Sequence, residues 1–221
     1  MLQVFLANSG EQKPGYPKRT DMLFDLHVHT TYSPCSRLLL GDILVHARGK
    51  GLDGVLITDH DTTEAMRWIR PGFQPDGLLL LIGMEYATDQ GDFLILGDNI
   101  KPGADLGALA LINQVEEKGG IAIAAHPFRK SRFFERSLLN KPYVAYVEGI
   151  NGRNQAEENR LALGLGQAKG KIMLGGSDAH ALDELGRVVT NFDYPIKSMQ
   201  ELIKEIKAGH CRPMWGPGHL P

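Results

Sequence analysis

The chain has 221 residues, 43% hydrophobic content and a formal net charge of −2. That is enough apolar material for one sizeable closed core, and the charge gives no basis for a general nucleic-acid binder driven by bulk electrostatics. Two cysteines, Cys35 and Cys211, exclude a disulfide framework, no run is long enough to span a bilayer, and the expectation is a soluble cytoplasmic protein.

Residues 1–22 are expected to be a loose leader, apolar over 1–7 and rich in Gly, Pro, Lys and polar residues over 8–21. Residues 23–210 form one expected domain, and 211–221, rich in Gly and Pro, an expected surface tail. The first apolar run, Leu23 to Thr30, carries His27 and His29. Strand side chains alternate, so these two imidazoles point the same way and can meet one ion. A loop over 31–36 leads to a helix over 42–48, with Asp42 as its N-cap, and His46 there has a structural or surface role. Val55–Thr58 is a short buried strand stopped by Asp59-His60-Asp61. A short helix over 63–69 is expected before Pro71-Gly72, and the strand Leu78–Ile82 ends at Gly83-Met84-Glu85.

Asp92 opens the next strand, 92–96. Periodicity predicts a helix over 105–118 with Leu109, Ile112 and Val115 inward, closed by Gly119. Ile121–Ala125 is a strand ending at His126-Pro127. The basic, aromatic stretch 129–141 is expected to be an excursion or lid. A strand over 143–150 ends at Asn151, a helix covers 155–169, and the strand 172–174 runs into Gly175-Gly176-Ser177-Asp178-Ala179-His180. A short strand near Val188-Val189 and a helix over 198–208 follow; His210 and His219 are not expected to be ligands. Alternating strands and helices predict an α/β parallel sheet whose strand count fits a closed barrel, with a doubly wound open sheet as the alternative.

The polar residues share one phase. His27 and His29, Asp59 and His60, Glu85, His126, Glu148 and Asn151, and Asp178 and His180 all follow short apolar strands. In a parallel barrel those strand ends surround one mouth. His, Asp and Glu donors without clustered Cys favour catalytic zinc, manganese or iron over a thiolate-type structural zinc. The donors outnumber the ligands of a single tetrahedral ion, so two or three divalent ions are expected, with Glu85 as a bridging carboxylate. Paired ions about 3.5–4 Å apart suit phosphate ester hydrolysis.

Five segments occur in order: Asp25-Leu26-His27-Val28-His29-Thr30, Thr58-Asp59-His60-Asp61, Gly83-Met84-Glu85, His126-Pro127 and Gly176-Ser177-Asp178-Ala179-His180. Together they resemble the polymerase and histidinol phosphatase (PHP) family over about residues 23–210. The resemblance implies a distorted (β/α)7 TIM-like barrel and a metal-dependent phosphoesterase using a metal-activated hydroxide. By position it implies His27, His29, Glu85 and Asp178 at one ion, Glu85 and His126 at a second, and His60 and His180 at a third. His60 or His180 would protonate the leaving oxygen, and Asp59 would orient a neighbouring histidine. Two departures stand out. Pro34 and Cys35 replace the His or Asp that often completes the third ion, and Asp92 stands where a histidine is common, as an oxygen ligand.

Arg129, Arg153 and Arg187, with Asn151, are candidates to grip a phosphate. The expected substrate is a small phosphate ester, nucleotide or short oligonucleotide, without a large nucleic-acid footprint and without a membrane partner. The rival readings are a non-catalytic PHP accessory module of a nucleic-acid-processing complex and a metal-dependent amidohydrolase.

Overall fold

The computed structural model describes residues 21–219. All but two residues of the expected leader, and the last two residues of the tail, lie outside that range. The strands are β1 (Met22–Val28), β2 (Gly54–Ile57), β3 (Gly72–Phe73), β4 (Leu79–Ile82), β5 (Met84–Thr88), β6 (Gly91–Leu96), β7 (Ile121–Ala124), β8 (Tyr146–Asn151), β9 (Ile172–Gly176), β10 (Val188–Phe192) and β11 (Cys211–Trp215). The helices are α1 (Leu40–His46), α2 (Ala108–Glu117), α3 (Ala156–Lys169) and α4 (Met199–Lys207).

The α/β class holds, but the ladders form two mixed sheets and do not trace one closed parallel barrel. One sheet runs β11-β10-β1-β2-β4-β3 and the other β5-β6-β7-β8-β9. β1-β2-β4 and β7-β8-β9 are parallel; β5-β6-β7 and β1-β10-β11 pair antiparallel. Two single bridges, Val28 with Ala179 and His60 with Glu85, join the sheets. β4 stops at Ile82 because the chain crosses from one sheet to the other at Gly83. A side chain there would lie 2.3 Å from the Ile95 carbonyl oxygen, which admits only glycine.

The inner faces of both sheets meet in one core that includes Phe24, Leu26, Leu56, Leu81, Leu94, Ile123 and Leu174. Burying each such side chain contributes roughly 1.5–3 kcal/mol of transfer free energy. Helix α4 closes this core with Leu202, Ile203 and Ile206. Ser198 starts α4 by accepting a hydrogen bond from Glu201 N. α1 packs on the outside of the first sheet and α2 on the outside of the second. α3 begins with a Gln155–Glu158 capping box and ends at Gly170, where φ is +61°.

Several local expectations change. The N-cap of α1 is Leu39, not Asp42. Residues 64–67 make a 3-10 turn, and Leu109 faces solvent while Ile112 and Val115 are buried. The expected tail instead supplies β11, an edge strand that tolerates Pro213 because its outer side needs no ladder partner. Among the described residues, no helix is long and apolar enough to cross a membrane.

Candidate metal centre

A β-bulge aims the two histidines of β1. Asp25 pairs with Val55 and Val28 with Ile57, so β1 carries one extra residue between them. Asp25 and Val28 therefore share the outer face, and His27 and His29 turn to the mouth between the sheets. Asp25 uses its outer position to tie the mouth together. Its Oδ1 accepts from Ser177 N at 2.9 Å and its Oδ2 from Gly186 N at 2.9 Å. Burial pushes the Asp25 carboxyl up to about 6, against the hydrogen bonds that lower it.

The other donors arrive from strand ends. His60 follows β2, Glu85 is the second residue of β5, His126 follows β7, and Asp178 and His180 follow β9. Asp92 reaches the same mouth from the start of β6 because β6 runs antiparallel to its neighbours. His126 and Asp178 have positive φ, 30° and 54°. Such backbone costs on the order of 1–3 kcal/mol and persists where the surroundings over-determine it, as at ligand clamps.

The donor atoms converge on Glu85. Its Oε2 lies 3.3 Å from His27 Nε2, 3.1 Å from His29 Nε2 and 3.2 Å from His60 Nδ1, and its Oε1 lies 2.9 Å from His126 Nε2. Asp178 Oδ1 is 3.6 Å from His27 Nε2 and 3.3 Å from His29 Nε2. Four groups of three have ligand atoms within 4.8 Å of one another: His27-His29-Glu85, His27-His126-Asp178, Glu85-Asp92-His126 and His29-His60-His180.

Residues behind the histidines fix which nitrogen carries the proton. His27 Nδ1 donates to Glu148 Oε1 at 3.0 Å. Ser33 Oγ donates to Asp59 Oδ1 at 2.6 Å, so it accepts from His29 Nδ1 at 3.2 Å. Both neutral imidazoles then present the Nε2 lone pair to the mouth, and these two atoms are 2.9 Å apart. Two lone pairs at that distance repel unless positive charge sits with them. The donor chemistry therefore fits divalent cations, and no thiolate set competes for a structural zinc.

The charges agree. Burial disfavours a charged imidazole, yet Asp178, Glu148 and Glu85 hold His27 well above its ordinary value. Burial also opposes ionisation of Glu85 and Asp178, but the imidazoles, His27 foremost, keep both carboxyls well below the usual range. The centre thus retains positive charge even when a proton is its only source. Burial, reinforced by His29, takes His180 down to about 4, and burial also lowers His60. A neutral imidazole at each of these positions suits ligation.

The mouth opens into a cavity of about 310 Å³ lined by Glu85, His60, His126, Asp178 and His180, with Cys35, Arg129, Arg132 and Arg153 among its walls. Arg129 Nη1 bonds Asp178 Oδ2 at 2.7 Å. Cys35 is exposed, with Sγ 3.1 Å from His180 Nε2. Three expected residues stay behind or outside this wall. Asp59 is buried and accepts from Thr30 N, Thr30 Oγ1 and Ser33 Oγ, so it reaches His29 only through Ser33. Asn151 is buried and binds Glu148 Oε2 and Arg129 Nη2. Arg187 turns to the Gly152 carbonyl, 3.5 Å away.

Glu148, one of the phased residues but with no specific role expected, and Arg132, one cation of the basic stretch, matter here. Glu148 accepts from His27 Nδ1, His126 N and Asn151 Nδ2, and Arg132 grips Asp92. For Glu148 the available signal was a lone acid within an apolar strand. A larger cavity, about 400 Å³, is lined mainly by uncharged residues such as Leu81, Met84, Ile100 and Met199, with Asp98 and Lys101 its only charged lining groups.

Fold and site together define an α/β protein with a buried His-and-carboxylate centre at its strand ends. Residues 156–211 match the family model described as PHP-associated. An uncharacterized protein of Methanocaldococcus jannaschii, MJ1587, is 34% identical over 119 residues, covering 48% of this chain and 68% of that protein. The fold is similar to PsfC from Pseudomonas syringae, with TM-score 0.73, 17% identity, and coverage of 90% of this chain and 93% of PsfC. A two-domain protein from Bacteroides vulgatus, containing a predicted PHP-like metal-dependent phosphoesterase, gives 0.63 at 17% identity over 89% of this chain and 65% of that one. The lesion-specific endonuclease PfuEndoQ of Pyrococcus furiosus gives 0.65 at 18% identity, over 88% and 58%. The chain belongs to the PHP family.

Proposed function

We propose that this protein is a metal-dependent hydrolase acting on phosphate esters. The observation that supports this most is the pair of Nε2 lone pairs on His27 and His29, 2.9 Å apart, beside two carboxylates and beneath arginines. His27, His29, Glu85 and Asp178 would hold one cation, Glu85 and His126 a second, and His29, His60 and His180 a third. Zinc, manganese or iron suit this donor set. Such cations supply Lewis acidity and lower the pKa of water.

The chain's own residues do the remaining work. Glu148 and the Asp59–Ser33 pair hold His27 and His29 in the ligating tautomer, and Glu85 offers one oxygen to each side of the centre. Arg129, anchored by Asp178 and Asn154, keeps the back of the pocket positive. Arg153 and Arg132 stand at the entrance, where developing negative charge on a phosphoryl group is stabilised. The buried part of the wall, Glu85, His126 and Asp178, lowers the local dielectric and strengthens these interactions. The substrate range of this proposal includes polynucleotides, because a similarly folded protein is a lesion-specific endonuclease. Soluble, cytoplasmic location remains part of the proposal.

The test is phosphate release from a panel of phosphomonoesters, phosphodiesters and oligonucleotides with added manganese or zinc. Turnover of at least one class is expected. A folded, metal-loaded protein that hydrolyses none of them, or that cleaves only amides or lactones, overturns the proposal.

A further inference from the structure

We infer that Arg132 is the residue that recognises the anionic group of the substrate, and that Asp92 is its positioning partner and not a cation ligand. This rests on the phosphoesterase reading above. Arg132 Nε and Nη2 donate to the same Asp92 oxygen, Oδ2, at 3.0 and 2.8 Å. That oxygen also lies 3.9 Å from His126 Nε2, a separation two ligands of one cation can have, so it is the arginine and not the distance that decides its role. Its lone pairs face a guanidinium fork, and a cation there would meet a fixed positive charge.

The three arginines of the cavity differ in what they have left to offer. Arg129 uses Nη1 on Asp178, Nε on Asn154 and Nη2 on Asn151, and its side chain is 13% exposed. It is a structural cation. Arg153 makes one contact, 3.9 Å to Glu184, and nothing aims it. Arg132 combines both requirements. A guanidinium has five N–H groups; Asp92 takes two, and the side chain is 45% exposed along the cavity wall. The remaining donors are held by a carboxylate on strand β6, whose backbone is fixed on both sides by ladders. A pre-aimed fork loses little freedom on binding an oxyanion.

The experiment uses the full, metal-loaded chain and inorganic phosphate as the probe, measured by calorimetry, with bound metal counted in the same samples. Arg132→Ala is expected to weaken phosphate about 10-fold, the low end for a charged hydrogen bond at a part-exposed site. Asp92→Asn is expected to weaken it similarly, and the double variant no further than the weaker single one. Metal content stays at the wild-type value in all three, and Arg132→Lys recovers part of the affinity. On a turned-over ester the same variants raise KM more than they lower kcat. Loss of a metal equivalent in Asp92→Asn, or unchanged phosphate affinity in Arg132→Ala, overturns the inference alone. Absence of phosphate binding by the wild-type protein overturns both the inference and the phosphoesterase proposal.

Discussion

Replacing Glu148 with Gln removes one charge and keeps the side chain's shape, so its effect can be worked from the hydrogen bonds. Glu148 Oε2 accepts from His126 N at 2.8 Å and Asn151 Nδ2 at 2.9 Å, while Oε1 accepts from His27 Nδ1 at 3.0 Å. A glutamine has one oxygen. Facing its oxygen to the two donors satisfies both and places its NH2 against His27 Nδ1. His27 must then accept at Nδ1 and carry its proton on Nε2, the atom aimed at the cation. The variant should bind zinc or manganese about 10- to 100-fold more weakly, the usual scale for losing an orienting partner. Its metal-free fold should lose about 1.5–3 kcal/mol, the value of a hydrogen bond to a charged group. Competition with a chromogenic chelator measures the first quantity and urea unfolding the second. Wild-type metal affinity in Glu148→Gln would refute the claim that tautomer control by this residue builds the centre.

Other outcomes follow from packing and charge. Gly176→Ala would place a methyl 2.4 Å from His27 Cβ, so it should cost about 1–3 kcal/mol of stability; an unchanged melting temperature would contradict that packing. Asp25 has its carboxyl raised from near 3.8 to about 6 by burial. The folded state therefore binds the proton more tightly, and this stability is complete below pH 4 and lost as pH rises through 6. At about 1.4 kcal/mol per pH unit the total is about 3 kcal/mol. In chelator, the stability of wild type minus that of Asp25→Asn should fall across this window; a flat difference would refute the assignment. Burial, with Asp193 and Glu205, pushes the Cys211 thiol up to about 12, whereas Cys35 is exposed. Iodoacetamide at pH 8 should label Cys35 first, read by mass spectrometry, and equal labelling rates would count against this difference.

The donor positions were legible because each ends an apolar run, and a polar residue at that place has few structural reasons to be there. His27, His29, His60, Glu85, His126, Asp178 and His180 all converge as the phase implied. The path of the sheet was not legible. A bulge at Asp25–Val28 leaves no mark in composition, and the antiparallel β5–β6 hairpin, which brings Asp92 to the mouth, reads locally like any two strands. Glu148 shared the phase of the donors, but its role was not legible, because nothing along the chain shows a strand acid meeting a histidine 121 residues away. Arg132 was one of several cations in a basic stretch, and only the tertiary contact with Asp92 separates it from its neighbours. Arg187 had the right type and place in sequence, but its guanidinium turns to the Gly152 carbonyl.

The most direct test counts the cations. After dialysis against zinc or manganese and removal of free ion, elemental analysis should find about two to three equivalents per chain, the number this donor set can hold. The same measurement on His27→Ala with His29→Ala should show at least one equivalent lost while the circular dichroism spectrum is kept. A folded wild-type chain that retains no metal would contradict the account.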